Sequence, residues 1–188
     1  AYAGAAIGAV FSGDLISLFI FWELTALTSV FLIWAADTEE ALHCGVRYLV
    51  IQVASGVILF AGTLMHYNNT GSLDFVNFYD AGLTTATTVI LWAIAIKAAF
   101  PFLHNWLQDA YPKATYSGTV FLSAFTTKLA IYALARGYAG FEFLIPIGCV
   151  MTVFPIFFAV IENDLRKVLA YSLNNQLGFM VIGIGIGS

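Results

Sequence analysis

Apolar runs about 20 residues long recur along this chain, separated by short polar stretches. An α-helix rises 1.5 Å per residue, so a run of about 20 covers the roughly 30 Å hydrocarbon core of a bilayer. Inside hydrocarbon every backbone N–H and C=O needs an internal partner, which leaves only helices and closed barrels. A barrel strand would alternate polar and apolar residues. These runs are continuous, so the sequence predicts an all-α polytopic transmembrane helical bundle. Composition agrees: 10% of residues are charged and 61% hydrophobic, against about 25% charged in ordinary soluble domains. The mean hydropathy is +0.89. The net charge of −4 carries no sign of nucleic-acid binding. Cys44 and Cys149 lie far apart without metal-type spacing and are expected to pack as small apolar side chains.

The runs divide the chain into six full spans and one partial one. Ala1–Phe11 is the partial span. The full spans are expected at 15–34, 45–66, 83–103, 117–136, 143–161 and 169–187. Pro146 falls in a first turn, where a missing N–H is harmless, and Pro155 is expected to kink its helix. Gly183 and Gly187 are expected to allow close helix contact. The stretch 67–82 reads as a loop with a short interfacial turn near Phe75–Tyr79. No methionine starts the chain, and both ends fall in or beside apolar runs. It therefore reads as a fragment of a longer bundle, one transmembrane domain over 1–188.

Loop sides alternate, so cations can be assigned by side. Arg47, Lys113, Arg166 and Lys167 fall on one side and Arg136 on the other. The positive-inside rule makes the loops at 35–44, 104–116 and 162–168 cytoplasmic and turns 67–82 outward.

Three charges lie at membrane depth: Glu23 in LFIFWELTALTSVFLIW, Lys97 in LWAIAIKAAFPFL and Lys128 in LSAFTTKLAIYALA. Each costs roughly 2.5–3.5 kcal/mol on insertion scales, so an ion pathway is their default reading. A permanent structural ion pair is the alternative. Pro101 stands four residues after Lys97 and lacks the N–H that the Lys97 carbonyl would take. The helix is expected to break near Lys97–Pro101, a geometry tolerated only where protein or a hydrated cavity satisfies the freed groups. A Lys–Glu pair that approaches and separates would act as a proton switch. Glu23 has Ala26 and Leu27 three and four residues on, so its partner should come from another helix. Lys128 is surrounded by Ser123, Thr126 and Thr127, whose hydroxyls can order water or bond a neighbouring helix. His104, after the break, is either a proton relay or a loop histidine. His43 and His66 read as interfacial, and Asp14 as a solvated boundary residue. Ser172, Asn174, Asn175 and Gln176 read as helix-to-helix glue or the lining of a hydrated path. No residues have the spacing of haem, iron–sulfur or zinc ligands, so no cofactor or metal is expected.

Four segments taken together resemble one family: FWEL at 21–24, IKAAFPFLHNWLQDAYPKA at 96–114, LSAFTTKLAIYALAR at 122–136 and ENDLRKVLAYSLNNQLGFM at 162–180. They are similar to the antiporter-like membrane subunits shared by respiratory complex I (NADH–quinone oxidoreductase) and the multisubunit Mrp-type cation/proton antiporters, and look closer to the D-like proteins of the Mrp set. The resemblance implies a fourteen-helix fold with two inverted five-helix repeats, of which this chain covers the end of the fourth helix through the tenth. It makes Glu23, Lys97, Lys128 and His104 the proton pathway. Gln108, Tyr111 and Thr115 stand where the family's pattern has proline, histidine and proline. The implied function is a proton-translocating membrane subunit of a monovalent cation (sodium)/proton antiporter. The alternatives are a proton-pumping subunit of NADH–quinone oxidoreductase and a structural membrane scaffold. The implied partners are the lipid bilayer, other membrane subunits of a hetero-oligomeric complex, and protons with or without sodium. The implied place is a bacterial plasma membrane.

Overall fold

The computed structural model describes residues 1–187. The chain forms α1 (Tyr2–Val10), α2 (Leu15–Trp34), α3 (Glu39–Thr70), α4 (Thr85–Lys97), α5 (Asn105–Lys113), α6 (Tyr116–Tyr138), α7 (Leu144–Ile161) and α8 (Leu165–Ile186). Among the described residues, α2, α3, α6, α7 and α8 are long and apolar enough to cross a membrane. The span expected at 83–103 is different. Its helix α4 has 13 residues and stops at Lys97. The break then leads into the nine-residue α5.

Capping residues set where most helices start. Side chains of Asp14, Thr38, Thr84, Thr115 and Asp164 each accept a backbone N–H from the first turn of α2, α3, α4, α6 and α8. Each cap is worth about 1 kcal/mol. Asp14 is therefore more than a solvated boundary residue. The Ser17 amide and hydroxyl bind its carboxylate at 2.8 and 2.7 Å and hold its carboxyl below the usual carboxylate range.

Caps also move the boundaries. Thr38 starts α3 six residues before the expected span, so the polar loop at 35–44 shrinks to four residues ahead of a 32-residue helix. The connection expected as a polar loop at 104–116 contains α5, with Pro112 in its last turn. α7 continues through Pro155 to Ile161.

The stretch 71–84 tucks inward. Gly71, at φ 72°, ends α3 in the left-handed conformation that glycine tolerates. Asp74 then pairs as an antiparallel bridge with Asp14. Phe75 and Phe78 are buried, and the Arg136 guanidinium lies 4.6 Å above the Phe75 ring while donating to the Ser12 carbonyl at 2.5 Å. The expected interfacial turn is thus a plug that closes one end of the bundle. His66 is buried beneath it, edge-on to Phe78, rather than interfacial.

α7 and α8 pack closely where Gly148 faces Gly178. A Cβ on either would stand 2.7–2.8 Å from the other's carbonyl oxygen. Gly185 meets Ile145 in the same seam, whereas Gly187, at φ 84°, terminates α8. Gly148, Gly178 and Gly185 are thus close-contact positions of this seam. Outward faces stay apolar: Phe157, Val160 and Ile161 on α7 are 68–79% exposed, which suits a lipid environment.

Candidate functional site

Lys97 is completely buried. Its ammonium donates to the Trp22 carbonyl and the Thr25 hydroxyl, each at 3.0 Å, and lies 4.2 Å from the centre of the Trp22 ring. The ring's negative face and two oxygens thus replace water around the amine. The α4 terminus places it there. Pro101 has no N–H to return to the Lys97 carbonyl, and the Phe100 N–H turns instead to Ala95 at 3.1 Å. Ala99 and Phe102 then adopt φ of 58° and 69°. Trp106, from α5, reaches back to the Ile96 carbonyl at 3.0 Å. The expected break at 97–101 is present, and Lys97 ends the helix.

Trp22, Thr25 and Ser29 recur at three and four residues, so they share one buried face of α2. The Trp22 indole donates to Ser55 of α3, and Ser55 donates to the Ala93 carbonyl of α4. One serine therefore ties three helices together beside the lysine. The next α2 residue, Glu23, points at α3 instead. A Cβ at Gly56 would overlap its carboxylate, so only glycine leaves that space. Glu23 Oε1 is buried without a hydrogen-bond partner. Its charge interacts with Lys97 through space. Yet the ion pairs formed among the described residues are Arg47–Asp109, Lys113–Glu40 and Lys167–Glu162. The acid and the amine are neighbours held apart.

Lys128 lies elsewhere. It lines a cavity of about 260 Å³ between α1 and α6 with Ala6, Val10, Phe125 and Leu129. Its ammonium makes no hydrogen bond or ion pair within the described residues. His104 caps no N–H at the start of α5 and meets Phe154 of α7 edge-on at 5.7 Å. It opens onto a cavity of about 490 Å³ with Arg47, Gln108, Asp109 and Tyr171. The structure therefore brings Glu23 near Lys97 and sets Lys128 and His104 at two separate cavities.

Between Lys97 and Lys128 lies a cluster of buried hydroxyls. Ser29 bonds the Tyr48 hydroxyl at 2.8 Å, and the Tyr2 and Thr126 hydroxyls meet at 2.5 Å. Tyr111 donates its hydroxyl to the Leu122 carbonyl at 3.0 Å, and the Thr127 hydroxyl is buried without a partner. Gln52, fully buried, has no protein partner for either amide atom. Sequence reasoning found Thr126 and Thr127 and missed Gln52, Ser55, Tyr48 and Tyr111. An amide within an apolar run was the available signal for Gln52. In the last helix Asn175 donates to the Thr152 carbonyl and so joins α8 to α7, while Ser172 and Gln176 line a groove beside α6.

A polytopic helical bundle with a helix broken at a buried lysine, an acid held nearby and a second lysine deep in another span has the build of a multi-pass membrane protein with ionisable groups in its interior. Its sequence places it more narrowly. A family profile described as "NADH:quinone oxidoreductase/Mrp antiporter, TM" matches residues 12–188, and the chain belongs to that family. It is 33% identical over its whole length to a Na(+)/H(+) antiporter subunit of Alkalihalophilus pseudofirmus, covering 25% of that protein. It is 32% identical, again over its whole length, to NAD(P)H-quinone oxidoreductase chain 5 of Synechocystis, covering 30% of it. One chain in the structure of the Mrp complex from Dietzia superposes with a TM-score of 0.90 at 26% identity, over 98% of this chain and 38% of that one. The chain thus spans about a third or less of these curated relatives.

Proposed function

We propose that this chain is the proton-conducting core of a membrane subunit in a multisubunit monovalent cation/proton antiporter, working in a bacterial plasma membrane beside other membrane subunits. The observation that carries the reading is Lys97: a wholly buried amine at a helix break, held by a carbonyl, a hydroxyl and an indole face rather than by a carboxylate. A buried amine held this way can keep or release its proton as the Glu23 carboxylate approaches or recedes. Glu23 sets the charge state of Lys97, Lys128 receives the proton, and His104 exchanges it with the cavity beside Arg47 and Asp109. Sodium is the cation in the name of the antiporter relative from Alkalihalophilus, and it is the cation proposed here.

The near-equal likeness to a quinone oxidoreductase chain supports a second reading, a pump subunit driven by redox chemistry elsewhere in its complex. The same residues would carry protons in both. A purified complex that shows quinone reduction favours the second reading, and sodium-driven proton movement without redox substrate favours the first. Replacing Lys97→Ala in the full-length complex is expected to abolish coupled proton movement in vesicle pH-gradient assays with assembly intact. Normal movement in that variant would remove the proposal.

A further inference from the structure

We propose that a sodium ion binds between Glu23 and Gln52 and takes the Trp22 and Thr25 oxygens that otherwise hold the Lys97 ammonium, so that cation and proton exchange at one buried site. The inference rests on the antiporter reading above and names where its cation binds. Sodium is the transported ion here, not a resident cofactor.

Two polar side chains beside Lys97 carry buried atoms without a partner. Gln52 of α3 is completely buried, and neither its amide oxygen nor its amide nitrogen meets a protein group. Glu23 of α2 has a buried Oε1 in the same condition. Native interiors satisfy nearly all such groups, by water or an ion where protein does not. The two lie in one place. The Trp22–Ser55 and Ser29–Tyr48 hydrogen bonds set the antiparallel register of α2 on α3. Gln52, between Tyr48 and Ser55, therefore stands opposite Thr25 and Ala26. Gly56, one turn beyond Gln52 on the same buried face, leaves the space that the Glu23 carboxylate fills. The Thr25 hydroxyl and the Trp22 carbonyl are the oxygens bonded to the Lys97 ammonium, each at 3.0 Å.

This donor set suits a small monovalent cation. The Glu23 carboxylate supplies one negative charge. The Gln52 amide, the Thr25 hydroxyl and the Trp22 carbonyl supply neutral oxygens, which can replace the hydration shell that the ion sheds. Charge makes the two occupants exclusive. Glu23 and Lys97 are the charged groups that act on each other here. Ammonium and carboxylate together are neutral. Amine, sodium ion and carboxylate together are neutral as well. Both cations at once would leave an uncompensated positive charge at membrane depth, which is costly. A divalent ion would leave the same excess beside the neutral amine. One proton therefore leaves the Lys97 nitrogen for the proton path as one sodium ion enters. No bond between heavy atoms changes, and the reverse step restores the ammonium.

The test uses the full-length complex in vesicles, with sodium as the probe and choline as the control. In the wild type the sodium KM of proton movement is expected to rise as the pH falls, as competition between the two ions requires. Gln52→Met keeps the length of the side chain and removes its oxygen. Its sodium KM is expected to rise about tenfold or more, with the maximal rate at saturating sodium largely kept. A merely structural amide would not split KM from kcat in this way. A second measurement needs no variant. Carbodiimide modification of Glu23, read by peptide mass, is expected to slow in sodium and not in choline. If Gln52→Met does not assemble, this protection decides alone. A wild-type sodium KM in Gln52→Met, or a Glu23 that sodium does not protect, overturns the site; with Lys97→Ala inactive, the proton-path reading stands. Proton movement that needs redox substrate and no sodium removes the antiporter reading and the site with it.

Discussion

Gly56 is the smallest residue near the site and controls its acid. It gives up the space that the Glu23 carboxylate occupies. A methyl group there meets the far end of a flexible side chain, which can swing aside, and alanine is the better helix former by about 1 kcal/mol. Gly56→Ala is therefore expected to leave the melting temperature of the complex unchanged or slightly raised. Its proton movement should fall, because the carboxylate is pushed from its place beside Lys97. Unchanged transport with unchanged stability would mean that the position of Glu23 does not matter. At this scale the sequence is informative about charges and silent about space. Lys97, Glu23 and Lys128 stand out because a charge in an apolar run is costly. Gln52 hides because a neutral amide hardly disturbs the hydropathy of its run. Gly56 hides because its role depends on which helix lies opposite, and that register is decided only by packing.

The element that matters most is the broken one. Proline at 101 predicts the end of α4 at Lys97, because one missing N–H removes one specific hydrogen bond. The same rule does not reveal α5. His104–Tyr116 looks like a loop when read for polarity and proline. Its buried residues Trp106, Leu107, Ala110 and Tyr111 nevertheless recur at helical spacing. Pro112 falls in its last turn and leaves the Gln108 carbonyl without the N–H four residues on. The break itself is held under strain. Non-glycine residues in the left-handed region cost roughly 1–2 kcal/mol each, and Ala99 and Phe102 both lie there. Pro101→Ala supplies the N–H that the Lys97 carbonyl lacks and removes a residue about 3 kcal/mol less favourable than alanine inside a helix. α4 should then extend by a turn and withdraw Lys97 from Thr25. The expected result is a complex at least as heat-stable as the wild type with several-fold slower proton movement in vesicles. Full-speed transport by Pro101→Ala would show that the break is incidental to the path.

Across the whole bundle the two ends differ in charge. Arg47 pairs with Asp109 at 2.7 Å, Lys113 with Glu40 at 3.6 Å, and Arg166 donates to the Ala114 carbonyl and the Thr119 hydroxyl. These contacts gather the α2–α3 turn, α5, the start of α6 and the α7–α8 turn at one end. The opposite end, closed by the 71–84 plug, has Arg136 stacked on Phe75. Cations bias orientation through their retention on the cytoplasmic side, while acids contribute little. The end with Arg47, Lys113, Arg166 and Lys167 should accordingly face the cytoplasm. Asn163 and Ala81 are exposed at opposite ends and can be read separately. With Cys44 and Cys149 replaced by alanine in the full-length protein, Asn163→Cys and Ala81→Cys give one thiol each. A membrane-impermeant maleimide added to intact cells is expected to label Ala81→Cys and to spare Asn163→Cys; in inverted vesicles the pattern reverses. Labelling of Asn163→Cys from outside would turn the bundle over. The cavity beside His104 would then open to the outer face, so the direction of proton exchange assigned to that histidine would reverse while the buried Lys97 geometry stayed the same.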